Sequence, residues 1–171
     1  MLDDFLILIG RFHPLIIHLP IGFIVLGILI EFNSKKLKWS NDALKFIFFW
    51  ATITGILSII SGFLQYQNGG YLWETVQNHF LAGILTVVLS FSFYLKLIEN
   101  SLFKQVSRKF FTIGNSVILI IAGHLGGNIT HGEEHLIEPL KNLASFNKVQ
   151  SKSIKYYSDF KEKPLFSTVI Q

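Results

Sequence analysis

The stretch ALKFIFFWATITGILSIISGFL, residues 43–64, decides the fold, because Lys45 is its one charged residue. A helix of about 20 apolar residues crosses the hydrocarbon layer of a membrane, which is roughly 30 Å thick. Three further stretches have the same character, and they cover about residues 13–32, 79–98 and 109–128. The sequence therefore predicts an all-α integral membrane protein with four transmembrane helices.

The composition agrees with a membrane protein and limits its chemistry. Of the 171 residues, 50% are hydrophobic and 15% are charged, whereas soluble domains carry about 25% charged residues. The chain has no cysteine, which excludes disulfides and thiolate metal sites. A metal or cofactor must therefore be held by His, Asp, Glu or the backbone. The basic residues lie in short loops beside the spans, so we expect them to set topology and expect no nucleic-acid partner.

Basic residues mark two of the three connecting loops. They are Lys35, Lys36 and Lys38 after the first span, and Lys104, Arg108 and Lys109 after the third. The middle loop, residues 65–78, has neither Lys nor Arg. By the positive-inside rule the two basic loops face the cytoplasm. The sequence thus predicts a four-helix bundle with its N-terminus and C-terminus outside, residues 1–146 forming the membrane domain. Residues 132–146 are expected to add a short amphipathic helix, and residues 147–171 a Lys-rich extracytoplasmic linker or tail.

The six histidines all fall at the predicted extracytoplasmic side. They are His13 and His18 at the start of the first span, His79 at the start of the third, His124 at the end of the fourth, and His131 and His135 after it. At about 1.5 Å rise per residue, His18 and His124 reach a similar depth, with His13, His131 and His79 shallower. Ionisable residues inside a span are costly and usually functional. We therefore take this layer as the candidate site.

A haem b group fits the histidine pattern. Neutral imidazoles from two facing helices bind haem iron on both sides of the porphyrin in helical bundles, and small residues let a flat group approach. Gly22 and Gly83 follow His18 and His79 by four positions, and Gly127 lies close to His124. Gly55 and Gly62 have no histidine beside them in sequence, so we expect them to serve helix packing. The predicted cofactor-binding residues are His18, His124, His79, His13, His131, Gly22, Gly83 and Gly127. His18 and His124 are the expected iron ligands of one haem b, with two haem groups as a variant; no catalytic residue is predicted.

Two motifs resemble a known family. HPLIIHLPIG, residues 13–22, and GHLGGNITHG, residues 123–132, together with the following Glu134 to Pro139, resemble an uncharacterised bacterial four-helix membrane domain. That domain often precedes planctomycete-type c-type cytochrome domains, and the resemblance covers roughly residues 10–145. It implies a bacterial inner membrane protein with both termini periplasmic. Residues 163–171 resemble the run leading into the attached cytochrome domain, so either that domain is absent or the sequence is a fragment of a longer fusion.

These observations predict a membrane redox module, an electron-transfer subunit rather than a stand-alone catalyst. It would pass electrons between a quinol or membrane partner and an extracytoplasmic c-type cytochrome, in contact with membrane lipid and as part of an oligomer. One alternative is a non-redox anchor or assembly subunit whose histidines and glycines serve helix packing. Two others are a divalent-metal site at His131, Glu133, Glu134 and His135, and a histidine proton relay.

Overall fold

The computed structural model describes residues 2–34, 36, 40–132 and 137–145. These residues form helices and the connections between them, with no strand among them. In chain order the elements are α1 (Leu2–Arg11), α2 (His13–Ile16), α3 (His18–Phe32), α4 (Ser40–Asn68), α5 (Trp73–Leu97), a 3₁₀ helix (Ser101–Phe103) and α6 (Arg108–His131).

The helices long and apolar enough to span a membrane coincide with the four predicted spans. They are His13–Phe32, Ser40–Asn68, Trp73–Leu97 and Arg108–His131. The prediction of an all-helical protein with four helices long and apolar enough to span a membrane is therefore confirmed for the described residues. The arrangement as a closed bundle and the outward orientation of both termini stay predictions.

Prolines divide the helical segment at the N-terminal end. α1 ends before Phe12, and Pro14 occupies the first turn of α2, where its missing N–H leaves no carbonyl without a donor. A second interruption lies at Ile17, between α2 and α3. Pro20 cannot donate to the carbonyl of Ile16, and the following Ile21 N–H reaches the Ile17 carbonyl at 3.4 Å. Pro20 thereby permits a kink just below His18, and the observed interruption at Ile17 lies one residue before that histidine.

α4 is the helix against which α1, α2, α3 and α5 pack. Two glycines lie where α4 comes too close for a side chain. A Cβ on Gly10 of α1 would lie 2.8 Å from the backbone nitrogen of Gln65, and one on Gly27 of α3 would lie 2.7 Å from the ring of Phe48. The glycines thus allow the N-terminal helices to contact α4 directly.

α6 joins this assembly through side chains at two levels. Phe111 stacks on Phe93 of α5 at a ring-centroid distance of 5.4 Å, and Asn115 accepts a hydrogen bond of 2.9 Å from the Ser90 hydroxyl. Phe93 and Phe111 belong to a buried cluster that also contains Leu44, Phe48 and Leu97. At the same end Arg108 Nε donates to Glu31 of α3 at 3.0 Å, which ties the first turn of α6 to the last turn of α3.

The chain divides into two units, Met1–Ile129 and Thr130–Gln171. In the second unit residues 137–145 are helical and exposed, within the stretch where an amphipathic helix is predicted. His135 and the predicted linker, residues 147–171, lie outside the described residues. Seven of the eight predicted site residues belong to the first unit, and His131 belongs to the second.

Candidate functional site

His13 lies at the start of α2, half-buried against α4. Its Nδ1 is 3.0 Å from the carbonyl oxygen of Ser58 and 3.2 Å from the hydroxyl of Ser61. The ring occupies the space above Gly62, where an added Cβ would lie 2.9 Å from the His13 Cε1 atom. Gly62 therefore accommodates a histidine, and the expectation that it serves helix packing alone is incomplete.

His79 has the same setting on α5. Its Nδ1 lies 3.0 Å from the carbonyl oxygen of Ala122 on α6. A Cβ added to Gly126 would lie 2.9 Å from the His79 Cε1 atom. As with Ser58 and Gly62, the accepting carbonyl precedes the glycine by four residues, so both lie on one helix face.

We call His13 and His79 the matched pair, and the end of the helices that carries them the histidine end. Each histidine is separated from its accepting carbonyl by a similar length of chain, 45 and 43 residues. A carbonyl oxygen only accepts, so in a neutral ring Nδ1 carries the proton and Nε2 presents its lone pair. Two helices thus offer one oriented nitrogen each.

His18 and His124, the pair expected from sequence to ligate iron, are both exposed. Two residues after His18, Pro20 is buried and approaches Gly55 of α4. Two residues after His124, Gly126 meets His79. Because residues two apart point to different sides of a helix, His18 and His124 lie on the faces turned away from these contacts. The structure thus packs His13 against α4 and His79 against α6, and it gives neither His18 nor His124 an interhelical hydrogen bond among the described residues.

The exposed pair nevertheless has local partners. His18 Nδ1 donates to the carbonyl of Pro14 at 2.5 Å, one turn earlier. His124 Nε2 lies 3.4 Å from the side-chain amide of Asn128. Both contacts remain within one helical segment, so neither histidine links two spans through them.

The predicted glycines differ from Gly62 and Gly126, against which the two histidine rings pack. An added Cβ at Gly22, Gly83 or Gly127 would meet nothing within 4 Å, and the same holds for Gly123. Gly83 lies one turn after His79, while Gly123 and Gly127 flank Gly126 on α6. Side chains of the described residues therefore leave four positions unfilled, those of Gly22, Gly83, Gly123 and Gly127.

His131 is exposed at the last position of α6. Glu133, Glu134 and His135, its predicted partners in a divalent-metal site, lie outside the described residues. Within residues 2–34, 36, 40–132 and 137–145, no three or more His, Asp or Glu side chains come together as a metal-ion site. A zinc or copper site commonly needs three or four protein ligands, whereas haem iron needs two axial ones. The donors of the matched pair therefore fit haem better than a bare divalent ion.

Sequence reasoning missed the part that α4 plays in the site. Ser58, Ser61 and Gly62 are spaced by three and four residues and so share one face, and Gln65 continues it by a further turn. The side-chain oxygen of Gln65 is buried and has no hydrogen-bond partner among the described residues. A face of small and polar residues in the half of an apolar span that lies at the histidine end is the sequence signal for an aromatic ring packed against it.

Comparison with known proteins adds no relative. The chain matches no family model, no curated protein and no solved structure. The resemblance to the bacterial four-helix domain therefore stays a prediction, and function has to be argued from the site itself.

Proposed function

We propose that this chain is the haem-carrying module of a membrane electron-transfer system, with His13 and His79 as the two axial ligands of one haem b. The observation that carries the proposal is the equivalent setting of these histidines. Each donates from Nδ1 to a main-chain carbonyl, each rests on a glycine, and each keeps Nε2 for a ligand.

The surroundings of the two rings support this assignment. A hydrogen bond from the distal ring nitrogen fixes the orientation of a ligating imidazole and increases its basicity. The carbonyls of Ser58 and Ala122 supply that bond. An added Cβ at Gly83, one turn after His79 on α5, would meet nothing within 4 Å, so no side chain of the described residues fills that position. When bound, the haem would supply reversible one-electron chemistry, with its potential tuned by these axial ligands and by burial.

The place of the site in the membrane suggests its partners. By the distribution of Lys and Arg, the histidine end faces the extracytoplasmic side. A haem there would lie within reach of a soluble or tethered c-type cytochrome, while the apolar surface of the spans would give access to a quinol. We propose transfer between these two partners.

An absorption spectrum tests the function directly. The full chain, purified in detergent after expression with added haem precursor, should show a Soret band, and reduction with dithionite should give sharp α and β bands. A pyridine haemochrome assay on the same sample should return about one haem b per chain, as two axial histidines predict. A colourless protein would contradict the proposal and favour the anchor or assembly function.

Four single variants then separate the two possible ligand pairs. His13→Ala and His79→Ala should each lose the bis-histidine spectrum, whereas His18→Ala and His124→Ala should retain it. The exposed pair provides the control, because His18 lies in the same span as His13 and His124 lies in the span against which His79 packs. Loss of the spectrum in His18→Ala and His124→Ala, with retention in the other two, would instead support the pairing expected from sequence.

A further inference from the structure

A polar pocket of about 510 Å³ lies at the opposite end of the helices from the matched pair. We call this the basic end. Three cationic side chains, Lys96, Lys104 and Arg108, line the pocket together with Asn41 and Glu99. None of these residues belongs to the proposed haem site, so the pocket requires an explanation of its own.

The pocket lies at the depth of lipid headgroups. Lys96 is in the last turn of α5, Arg108 is the first residue of α6, and Asn41 is the second residue of α4. Spans of this length end where hydrocarbon gives way to the headgroup region. The buried Leu97 forms an apolar part of the wall, and its neighbour Ile98 is 44% exposed. An amphiphile with a polar head and an apolar chain would find both surfaces there.

The charges in the pocket do not cancel. Glu31 of α3 accepts from Arg108 through both carboxylate oxygens, at 3.0 and 2.5 Å, and so neutralises the guanidinium. Lys96 and Lys104 then face a single carboxylate, Glu99. With Arg108 neutralised by Glu31, the charged side chains that line the pocket leave a net charge of one positive unit. A phosphodiester monoanion would neutralise it.

The lysine ammonium groups are placed to bind such an anion. Lys96 Nζ donates to the main-chain carbonyl of Lys104 at 2.9 Å. This bond holds the ammonium at the pocket wall and uses one of its three N–H donors. Lys104 itself is exposed in the connection between α5 and α6. Lys96 and Lys104 thus belong to neighbouring elements, and both line the pocket.

We propose that this pocket binds the phosphate of an anionic phospholipid, with Lys96 and Lys104 as the phosphate contacts. Glu99 would accept a hydrogen bond from a headgroup hydroxyl, which favours a glycerol headgroup. Basic pockets between transmembrane helices on the cytoplasmic side are typical sites for anionic lipids, and the basic loops assign this end to the cytoplasm. The proposal is independent of haem binding.

Thermal unfolding of the full chain in a neutral maltoside detergent tests the proposal. Short-chain phosphatidylglycerol should raise the melting temperature in a saturable way, because a ligand of the folded state stabilises it. Phosphatidylcholine of the same chain length and inorganic phosphate, as separate arms, should not do so at equal concentration. An equal effect of inorganic phosphate would overturn the lipid assignment and leave a soluble phosphate ligand.

Lysine variants locate the binding. Lys104→Gln should weaken phosphatidylglycerol binding about fivefold, the effect of one basic residue near an anionic lipid surface, and Lys104→Arg should restore it. Lys104→Gln keeps the main-chain acceptor of Lys96 and so leaves the loop intact. Lys109→Gln is the matched control, because Lys109 is exposed beside Arg108 and does not line the pocket. Equal affinities of Lys104→Gln and Lys109→Gln would overturn the proposal.

Discussion

A single methyl group can test the site at the residue scale, because each ring of the matched pair rests on a glycine. Gly126→Ala would place a Cβ 2.9 Å from the His79 Cε1 atom, closer than carbon atoms approach without strain. The ring must shift by a few tenths of an ångström, which strains its bond to the Ala122 carbonyl. We expect lower haem occupancy by pyridine haemochrome and a loss of stability of about 1–3 kcal/mol, the usual cost of overpacking.

The adjacent glycine gives the control for this substitution. Gly127→Ala meets nothing within 4 Å, so haem content should be unchanged and stability should rise by up to about 1 kcal/mol, as helix propensity predicts. Thermal unfolding of both variants separates packing from cofactor loss. If Gly126→Ala and Gly127→Ala behave alike in both assays, the proposed contact of His79 with Gly126 is wrong.

That histidines form the candidate site could be predicted from the sequence. Which two histidines are proposed as a pair depends on the tertiary structure. Depth along the helices groups His18 with His124, since rise per residue is all that a linear pattern provides. Which face of a helix packs inward depends on its neighbours. The buried residues of α5 are Ala82, Thr86, Ser90, Phe93 and Leu97, and extending their spacing of three and four residues backward reaches His79. The same spacing argument distinguishes His79, which continues the line of buried residues on its helix, from the exposed His124.

At the scale of the helix pair, a buried polar contact joins α5 to α6. The Ser90 hydroxyl donates to Asn115 Oδ1 at 2.9 Å, and Asn115 Nδ2 donates to the Phe111 carbonyl at 2.9 Å. Asn115→Ala should lower stability by about 0.5–2 kcal/mol, since interhelical hydrogen bonds in membranes are of this size. The control is Ser116→Ala, whose hydroxyl bonds within its own helix to Thr112. Thermal unfolding in detergent should show a smaller loss for the control; an equal loss would contradict an interhelical role.

The ion pair at the basic end joins α6 to α3. The side chain of Glu31 is 13% exposed and that of Arg108 is 35% exposed, so the ion pair is partly buried. Arg108→Gln or Glu31→Gln should each cost about 1–3 kcal/mol, while the double variant should cost less than the sum. Lys45→Gln, which removes an exposed pair with Asp42 on α4, should change stability by under about 0.5 kcal/mol. Additive losses in unfolding measurements would show that the two side chains are not coupled.

The helices themselves were largely predictable, for a physical reason. A span must be about 20 residues long and satisfy its own backbone hydrogen bonds, so hydropathy marks it in the chain. The extensions beyond the predicted limits, such as residues 65–68 of α4 and 73–78 of α5, are polar turns that hydropathy does not register. The separation of α1 from α2 at Phe12 was not anticipated, because residues 5–9 are too short to indicate a helix with its own contact on α4.

At the scale of the whole molecule, the surface of the spans is mainly apolar. In the most apolar 18-residue stretch of each span, 17% of the residues are buried in His13–Phe32 and in Arg108–His131. The corresponding share in Ser40–Asn68 is 44%. Exposed side chains such as Leu29 and Ile120 would be unfavourable in water. Four apolar helices imply that these faces contact lipid. The orientation of the spans in the membrane then decides which partners can reach the histidine end.

That orientation can be measured cleanly because the chain has no cysteine. Gln67→Cys lies at the exposed end of α4 near the histidine end, and Gln105→Cys lies in the exposed connection between α5 and α6. The positive-inside rule predicts that a membrane-impermeant maleimide labels Gln67→Cys in spheroplasts and labels Gln105→Cys only after permeabilisation. The reverse pattern would place the histidine end in the cytoplasm, where a c-type cytochrome could not accept its electrons, and would contradict the proposed partner while leaving the haem ligands open to the spectral test.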